Sequence, residues 1–201
     1  MMLKIAYFYP DELNLYGDTG NVEVLQTRAS LRGFDTEVLY ITSTTQITPA
    51  LMSGVNLVFM GGGPDSGQKH MYQDLITNKG PFLRDYILQG GVGLYICGSY
   101  QLLGNYYKTA DATVIEGLGI LDFYTQHFGQ AKPRCVGNMV CTISSALQQN
   151  QLFTAVNTLG TKLVGFENHG GRTYLSPTIT PLALVLTGHG NNSEDNTEGL
   201  L

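Results

Sequence analysis

Short apolar runs alternate with amphipathic stretches in the first half of the chain. The apolar runs predict four strands, Lys4–Tyr9, Thr36–Ile41, Leu57–Met60 and a buried Val92–Ile96. The amphipathic stretches predict three helices, Asn21–Arg32, Ser66–Asn78 and Phe82–Gln89. Because strands joined by helical crossovers run parallel, this half predicts an α/β fold, with a mostly parallel sheet flanked by helices.

The first predicted helix has an apolar side and a clear end. We expect Val22, Leu25, Ala29 and Leu31 to face the core, and Gly33 to stop the helix.

The second half of the chain reads as strands separated by Gly, Asn, Pro and Ser. The candidates are Ile120–Tyr124, Arg134–Ile143, Leu163–Phe166 and Leu182–Leu186. In the second candidate, Cys135 and Cys141 share their parity with Met139 and Ile143. We therefore expect these two cysteines to face the core and not to be reactive.

Composition narrows the function classes. A length of 201 residues fits one domain, 1–201. The net charge of −5, without any Lys/Arg-rich run, argues against a nucleic-acid partner. Charged residues make up only 13% against about 25% in a typical protein, so a partner could cover part of the surface, although abundant Thr, Asn, Gln and Ser could also keep it in solution.

The cellular location follows from three further features. No stretch approaches the about 20 apolar residues of a membrane span, and the N-terminal run is too short for a signal peptide. The three cysteines form no Cys-x-x-Cys pair and are odd in number, which suits a reducing compartment. We predict a cytoplasmic protein.

The stretch 90–104 predicts a nucleophile elbow. A strand runs without a pause into Cys97, and a helix opens at Gly98 and Ser99. Such a turn lifts the thiol above the sheet edge, and the helix start favours the thiolate, which is the reactive form. The alternative is that Cys97 is a small buried apolar residue, as most unpaired cysteines are.

Three glycines, 61–63, follow the third predicted strand at the edge where open α/β sheets bind ligands. Without Cβ atoms, the backbone N–H groups near Gly62 could approach a developing oxyanion opposite the N–H of Gly98. A flexible turn is the alternative.

Cofactor motifs are missing from the sequence. The stretch Gly62–Lys69 lacks the Gly-Lys-Ser/Thr core of a phosphate loop, so no ATP site is visible. The four histidines, at positions 70, 127, 169 and 189, form no metal-spaced pair. We predict neither a metal nor a cofactor in this chain.

The run Cys97-Gly98-Ser99-Tyr100-Gln101 resembles the Cys-x-Gly-x-Gln signature of class I glutamine amidotransferases. Two positions depart from that pattern, since Tyr95 stands where many amidotransferases have Gly, and Ser99 replaces the second Gly. The resemblance implies a flavodoxin-like α/β domain in which Cys97 is the nucleophile and Gln101 helps to hold the substrate.

The resemblance extends along nearly the whole chain to GatD-type glutaminase subunits of lipid II isoglutaminyl synthase, within the cobyric-acid-synthase-like branch. The landmarks stand in the family's order: Asn14–Asp18, Gly61–Gly63, Ile96–Gly98, Gly117–Asp122, Gly165–Thr173 and Gly190–Asn192. Arg134 matches the arginine that fixes the α-carboxylate of L-glutamine in the family, a task suited to its planar fork. On the residues alone, Arg134 would be read as an ordinary surface cation.

The resemblance also implies a reaction and a partner. Ammonia from glutamine would pass to an ATP-dependent, Mur-ligase-like subunit of MurT type in a heterodimer, which amidates the D-glutamate of lipid II during peptidoglycan synthesis. The alternatives are the glutaminase half of a cobyrinate-type synthetase and a non-catalytic scaffold subunit. A cysteine peptidase is disfavoured because nothing in the sequence suggests a peptide groove.

The general base is not assigned. In the family it belongs to a Tyr-Leu-His-Gly-Pro-like motif after the Gly-Asn-Asn segment, and no such motif precedes Leu201. We expect the chain to be a fragment of a longer product. Alternatively, His169 or His189 serves as a substitute, or the chain is not catalytic.

Overall fold

A computed structural model of the protein describes residues 2–14, 17–63, 68–147, 150 and 161–201. Residues 66 and 67 of the predicted second helix lie outside this part of the chain. The chain divides into two compact units, Met1–Leu103 and Gly104–Leu201. A single domain over the whole chain stays a prediction.

The first unit is a parallel sheet connected by helices. Its strands are β1 (Met2–Phe8), β2 (Asp35–Ile41), β3 (Leu57–Met60) and β4 (Gly93–Tyr95). They lie in the order β2-β1-β3-β4, and every neighbouring pair is parallel. The helices are α1 (Thr19–Ser30), α2 (Pro49–Met52), α3 (Gln68–Asp74, continued as a π-helix at Leu75–Lys79), α4 (Gly80–Leu88) and α5 (Gly98–Leu103). The predicted α/β class is confirmed.

Helices pack on both faces of this sheet. On one face, Val22 and Leu25 of α1 pack with Tyr7 and Phe59, whose rings meet edge to face at 5.2 Å between centroids. Alternate residues of a strand point to opposite faces, so Phe8 turns to the other side, where it stacks with Phe82 of α4. The sequence pattern of apolar strands reflects burial on both faces.

Two predictions about the first unit are wrong in detail. Leu31 is 80% exposed because α1 ends at Ser30, which leaves Leu31 beyond the apolar side of the helix. The strand before the elbow is not buried, since Val92 and Leu94 are 41% and 38% exposed. The reason is that β4 is an edge strand of its sheet.

A buried ion pair braces the carboxyl ends of β1 and β2. Lys79, only 1% exposed, lies 2.7 Å from a carboxylate oxygen of Asp74 and donates a hydrogen bond to the Ser43 carbonyl. The hydroxyl of Tyr9, at the end of β1, donates to the same carboxylate at 2.9 Å. Burial raises the pKa of Asp74, but hydrogen bonds from Lys79, Asn78 and Tyr9 outweigh it and hold the pKa below its usual value.

The second unit is built from mostly antiparallel strands. They are β5 (Tyr106–Lys108), β6 (Val114–Glu116), β7 (Phe123–His127), β8 (Cys135–Ile143), β9 (Lys162–His169), β10 (Gly171–Leu175), β11 (Ala183–Thr187) and β12 (Thr197–Glu198). They form two four-stranded sheets in the orders β10-β7-β5-β6 and β12-β11-β8-β9. The predicted strand Ile120–Tyr124 lies three residues later in the chain than expected, whereas the other three agree closely.

Two cysteines of β8 lie in the core of the second unit. Cys135 and Cys141 are buried in β8 as predicted, at 0% and 1% exposure. Burial, followed by the charges of Glu198 and Glu167, raises the pKa of the Cys141 thiol to about 11. That thiol therefore stays protonated at neutral pH.

In the described part of the chain, we find no helix with the length and apolar character that crossing a bilayer requires.

Candidate active site

Cys97 occupies a strained turn between β4 and α5. Its φ is +54°, in the left-handed region that non-glycine residues rarely adopt, and its side chain is exposed. Holding such a conformation costs about 1–3 kcal/mol, so the surrounding contacts must impose it. Strand, strained exposed cysteine and helix follow each other as an elbow requires.

Ser99 fastens this turn to the neighbouring strand. Its side chain is completely buried, and its hydroxyl lies 2.9 Å from the Met60 carbonyl and 3.0 Å from the Ile96 carbonyl. The same oxygen accepts a hydrogen bond from the Ile96 N–H at 3.0 Å. The sequence alone identified Ser99 only as a residue at the helix start that replaces the second Gly of the motif. The signal it missed is that a hydroxyl here can reach the carbonyl at the end of β3.

Gly62 lies directly against Cys97. A Cβ atom at this position would be 2.9 Å from the Cβ and 3.6 Å from the sulfur of Cys97. Real Cβ atoms essentially never come that close, so only glycine fits without movement. The ends of β3 and β4 therefore bring the glycine turn and the elbow together.

The segment after β1 packs on the other side of the glycine turn. A Cβ on Gly61 would clash with the Leu13 carbonyl and lie 2.6 Å from the Cβ of Asp18. A Cβ on Gly63 would lie 2.8 Å from the Glu12 carbonyl. Backbone contacts thus hold the turn from two sides. Leu15 and Tyr16 of the Asn14–Asp18 landmark lie outside the described residues.

Gly98 and Gln101 belong to the short helix after Cys97. Gly98 is buried at its first position. The backbone N–H of Gln101 donates to the Cys97 carbonyl at 3.1 Å, which closes the first turn of the helix. The Gln101 side chain is half-buried.

Arg134, in the second unit, is exposed and held by Asn168. Its Nε and Nη2 lie 3.2 and 3.0 Å from the Asn168 side-chain oxygen, and Nη2 lies 3.1 Å from the Asn168 carbonyl. The register of β8 and β9, which pairs Cys135 with His169, brings the two residues together. Sequence reasoning gave Asn168 no role.

Glu167 anchors the turn after β11. Its carboxylate, in a residue only 6% exposed, accepts hydrogen bonds from the backbone N–H groups of His189 and Gly190 at 2.7 and 3.0 Å. Burial, and then the charge of Glu167, raises the pKa of the partly buried Glu198 to about 7.

Each of the three histidines of the second unit makes a local contact. His127 accepts a hydrogen bond on Nδ1 from the Gly129 N–H, and His169 Nδ1 lies 2.8 Å from the Gly171 carbonyl. His189 Nδ1 lies 3.3 Å from the Ser193 hydroxyl. These contacts assign no general base. Among the described residues, no group of three or more His, Cys, Asp or Glu could hold a metal ion.

Comparison with known proteins gives consistent matches. Residues 4–201 match the model of the CobB/CobQ-like glutamine amidotransferase domain. The chain is 42% identical over 198 residues to a Staphylococcus aureus protein named lipid II isoglutaminyl synthase (glutamine-hydrolyzing) subunit GatD, covering 98% of this chain and 72% of that protein. The Streptococcus pneumoniae protein of the same name is 35% identical, with 98% and 69% covered.

A solved structure shares the fold. The crystal structure of a glutamine amidotransferase from Thermotoga maritima superposes with a TM-score of 0.57 at 15% identity, covering 98% of this chain and 69% of that one. At that identity the likeness concerns the fold alone.

Proposed function

Since the chain belongs to the CobB/CobQ-like glutamine amidotransferase family and is of GatD type, we propose that it hydrolyses L-glutamine to glutamate and ammonia with Cys97 as nucleophile. The observation that carries this proposal is the exposed, strained Cys97 thiol lying against Gly62. A purely structural cysteine would have no need of either feature.

The proposed reaction passes through a thioester. The thiolate of Cys97 attacks the side-chain amide carbon, and the N–H groups of Gly98 and the Gly62 turn stabilise the resulting oxyanion. The carbon–nitrogen bond then breaks, and the amide nitrogen takes up a proton and leaves as ammonia. Water attacks the thioester, which releases glutamate and restores the thiol.

Two residues would orient the substrate. Arg134 would bind the α-carboxylate of glutamine, because a guanidinium donates parallel N–H bonds to a carboxylate. Gln101, one turn after Cys97, would hydrogen-bond the amino acid with its side-chain amide. The protein group that transfers protons is not assigned.

The ammonia would serve a partner subunit. The relatives are named as subunits of lipid II isoglutaminyl synthase, and we extend this role to the present chain. In this proposal a Mur-ligase-like, ATP-dependent subunit of MurT type uses the ammonia to amidate D-glutamate in lipid II, on the cytoplasmic side of the membrane. The present chain would supply neither the ATP site nor a metal.

The test uses the heterodimer of this chain and its ligase subunit. Cys97→Ala should abolish ammonia release from glutamine and labelling by a glutamine-analogue electrophile, whereas Cys141→Ala should keep both. A covalent glutamyl adduct should be detected by mass spectrometry on the peptide containing Cys97. Unchanged glutamine hydrolysis in the Cys97→Ala complex would refute the proposal, and the chain would then be a non-catalytic subunit.

A further inference from the structure

The hydrogen bonds of Arg134 occupy one edge of its guanidinium. Nε and Nη2 donate all three bonds to Asn168, at 3.0–3.2 Å. None of the described residues accepts from Nη1, whose two N–H groups extend from an exposed side chain. Arg134 is thus oriented by one neighbour while part of its donor capacity stays available.

Both acceptors on Asn168 are uncharged. One is a side-chain amide oxygen and the other a backbone carbonyl, so they fix the direction of the guanidinium without neutralising it. An aspartate at 168 would offer the same geometry, but its negative charge would compete with a bound carboxylate for the same cation. Asparagine at position 168 therefore favours binding of an anion by Arg134 more than aspartate would.

A second arginine, on β10, fixes the backbone beside Arg134. Arg172, four residues after Asn168 and only 3% exposed, donates from Nη2 to the Pro133 carbonyl at 2.6 Å. No described residue accepts a hydrogen bond from its Nε or Nη1. Among the described residues no carboxylate forms an ion pair with this buried guanidinium, so it adds positive potential next to residues 133 and 134, which favours an anion there.

From these contacts we propose that Asn168 is a positioning residue for carboxylate recognition. It holds Arg134 with neutral acceptors so that the guanidinium keeps its full charge for the substrate α-carboxylate, while Arg172 fixes the adjoining backbone. The inference rests on the proposed function, in which Arg134 binds that carboxylate.

The experiment compares two substitutions at one exposed position. Asn168→Ala removes the side-chain acceptor, and Asn168→Asp keeps an acceptor of the same shape while adding a negative charge. Because Asn168 is exposed, both variants should fold, which thermal unfolding of the heterodimer checks. Asn138→Asp, at an exposed position of β8, introduces the same charge in the same sheet and serves as control.

We expect Asn168→Asp to raise the KM for L-glutamine about tenfold or more with kcat changed less than about twofold, as the loss of a charge-assisted hydrogen bond predicts. Asn168→Ala should raise KM less than Asn168→Asp does. The preference for L-glutamine over 4-aminobutanamide, its analogue without the carboxylate, should fall in parallel with the KM effect. Asn138→Asp should change none of these values.

A merely structural role would produce the opposite order, because aspartate preserves the contacts with Arg134 better than alanine does. A KM for Asn168→Asp equal to or below that of Asn168→Ala would overturn the inference. An equal fall in kcat/KM for L-glutamine and for 4-aminobutanamide would overturn the inference too. In either case the proposed function would stand as long as glutamine hydrolysis depends on Cys97. A parent heterodimer unable to hydrolyse glutamine would overturn both.

Discussion

Replacing Gly62 by alanine would place a methyl group in the space beside Cys97. The added carbon would lie 2.9 Å from the Cβ of Cys97, about 0.6 Å inside the optimal separation of about 3.5 Å. Neither atom sits at the end of a flexible side chain, so the turn or the elbow must move. Displacements approaching 1 Å at a reacting group can cost about 100-fold in rate. We therefore expect kcat/KM for glutamine hydrolysis to fall by about 100-fold.

The assay is ammonia release by the heterodimer under steady-state conditions, with thermal unfolding measured in parallel. Gly20→Ala is the matched control, because Gly20 lies inside α1 with ordinary φ and nothing within 4 Å of an added Cβ. That control should keep full activity. If Gly62→Ala retained the parent kcat/KM, the glycine turn would not be part of the site, and the oxyanion role of Gly62 would be refuted.

Three further predictions concern stability. Ser99→Ala should lower the free energy of unfolding by about 1–2 kcal/mol, because a buried hydrogen bond is lost. Ser30→Ala, at an exposed position, is the control and should change the free energy of unfolding little. Equal changes in the two variants would contradict the role of Ser99 in holding the turn. Lys79→Ala should lower the free energy of unfolding by about 1.5–3 kcal/mol in a urea titration, because Asp74, which is 11% exposed, loses a charge-assisted hydrogen bond and keeps those from Tyr9 and Asn78. A cost below about 1 kcal/mol would refute the bracing role of the pair. Glu198 has a folded-state pKa of about 7, above its unfolded value of about 4.3, so its stabilising contribution is complete below pH 4 and disappears as the pH rises through 7. Glu198→Gln should therefore raise the melting temperature at pH 8 relative to the parent, and an unchanged melting temperature at pH 8 would count against the raised pKa.

The elbow could be predicted from sequence because its determinants are local. An apolar run, Cys97 and a small residue at 98 lie next to one another, and the strand-to-helix switch follows from that order alone. Placing Gly62 beside it required the rule that parallel strand ends share an edge and the assumption, which the structure bears out, that β3 and β4 are neighbours. The exposure of β4 could not be predicted, because an edge strand and a central strand have the same apolar pattern when the strand order is unknown.

The second unit was harder to predict for a physical reason. Its strands β5 and β6 have three residues each, and β12 has two. Segments this short cannot show a recognisable alternation of apolar and polar residues. The bond between Arg134 and Asn168 joins residues 34 positions apart, and only the register of β8 against β9 determines it. Sequence reasoning reached Arg134 through family resemblance and had no route to its partner.

The different settings of the three thiols have a practical consequence. Cys135 and Cys141 are buried in β8, whereas Cys97 is exposed. A maleimide dye should therefore attach to Cys97 alone on the native chain, without any engineered cysteine. Such a dye would report directly on the elbow. Because the dye would occupy the sulfur of the proposed nucleophile, labelling should abolish ammonia release from glutamine in proportion to the thiol consumed.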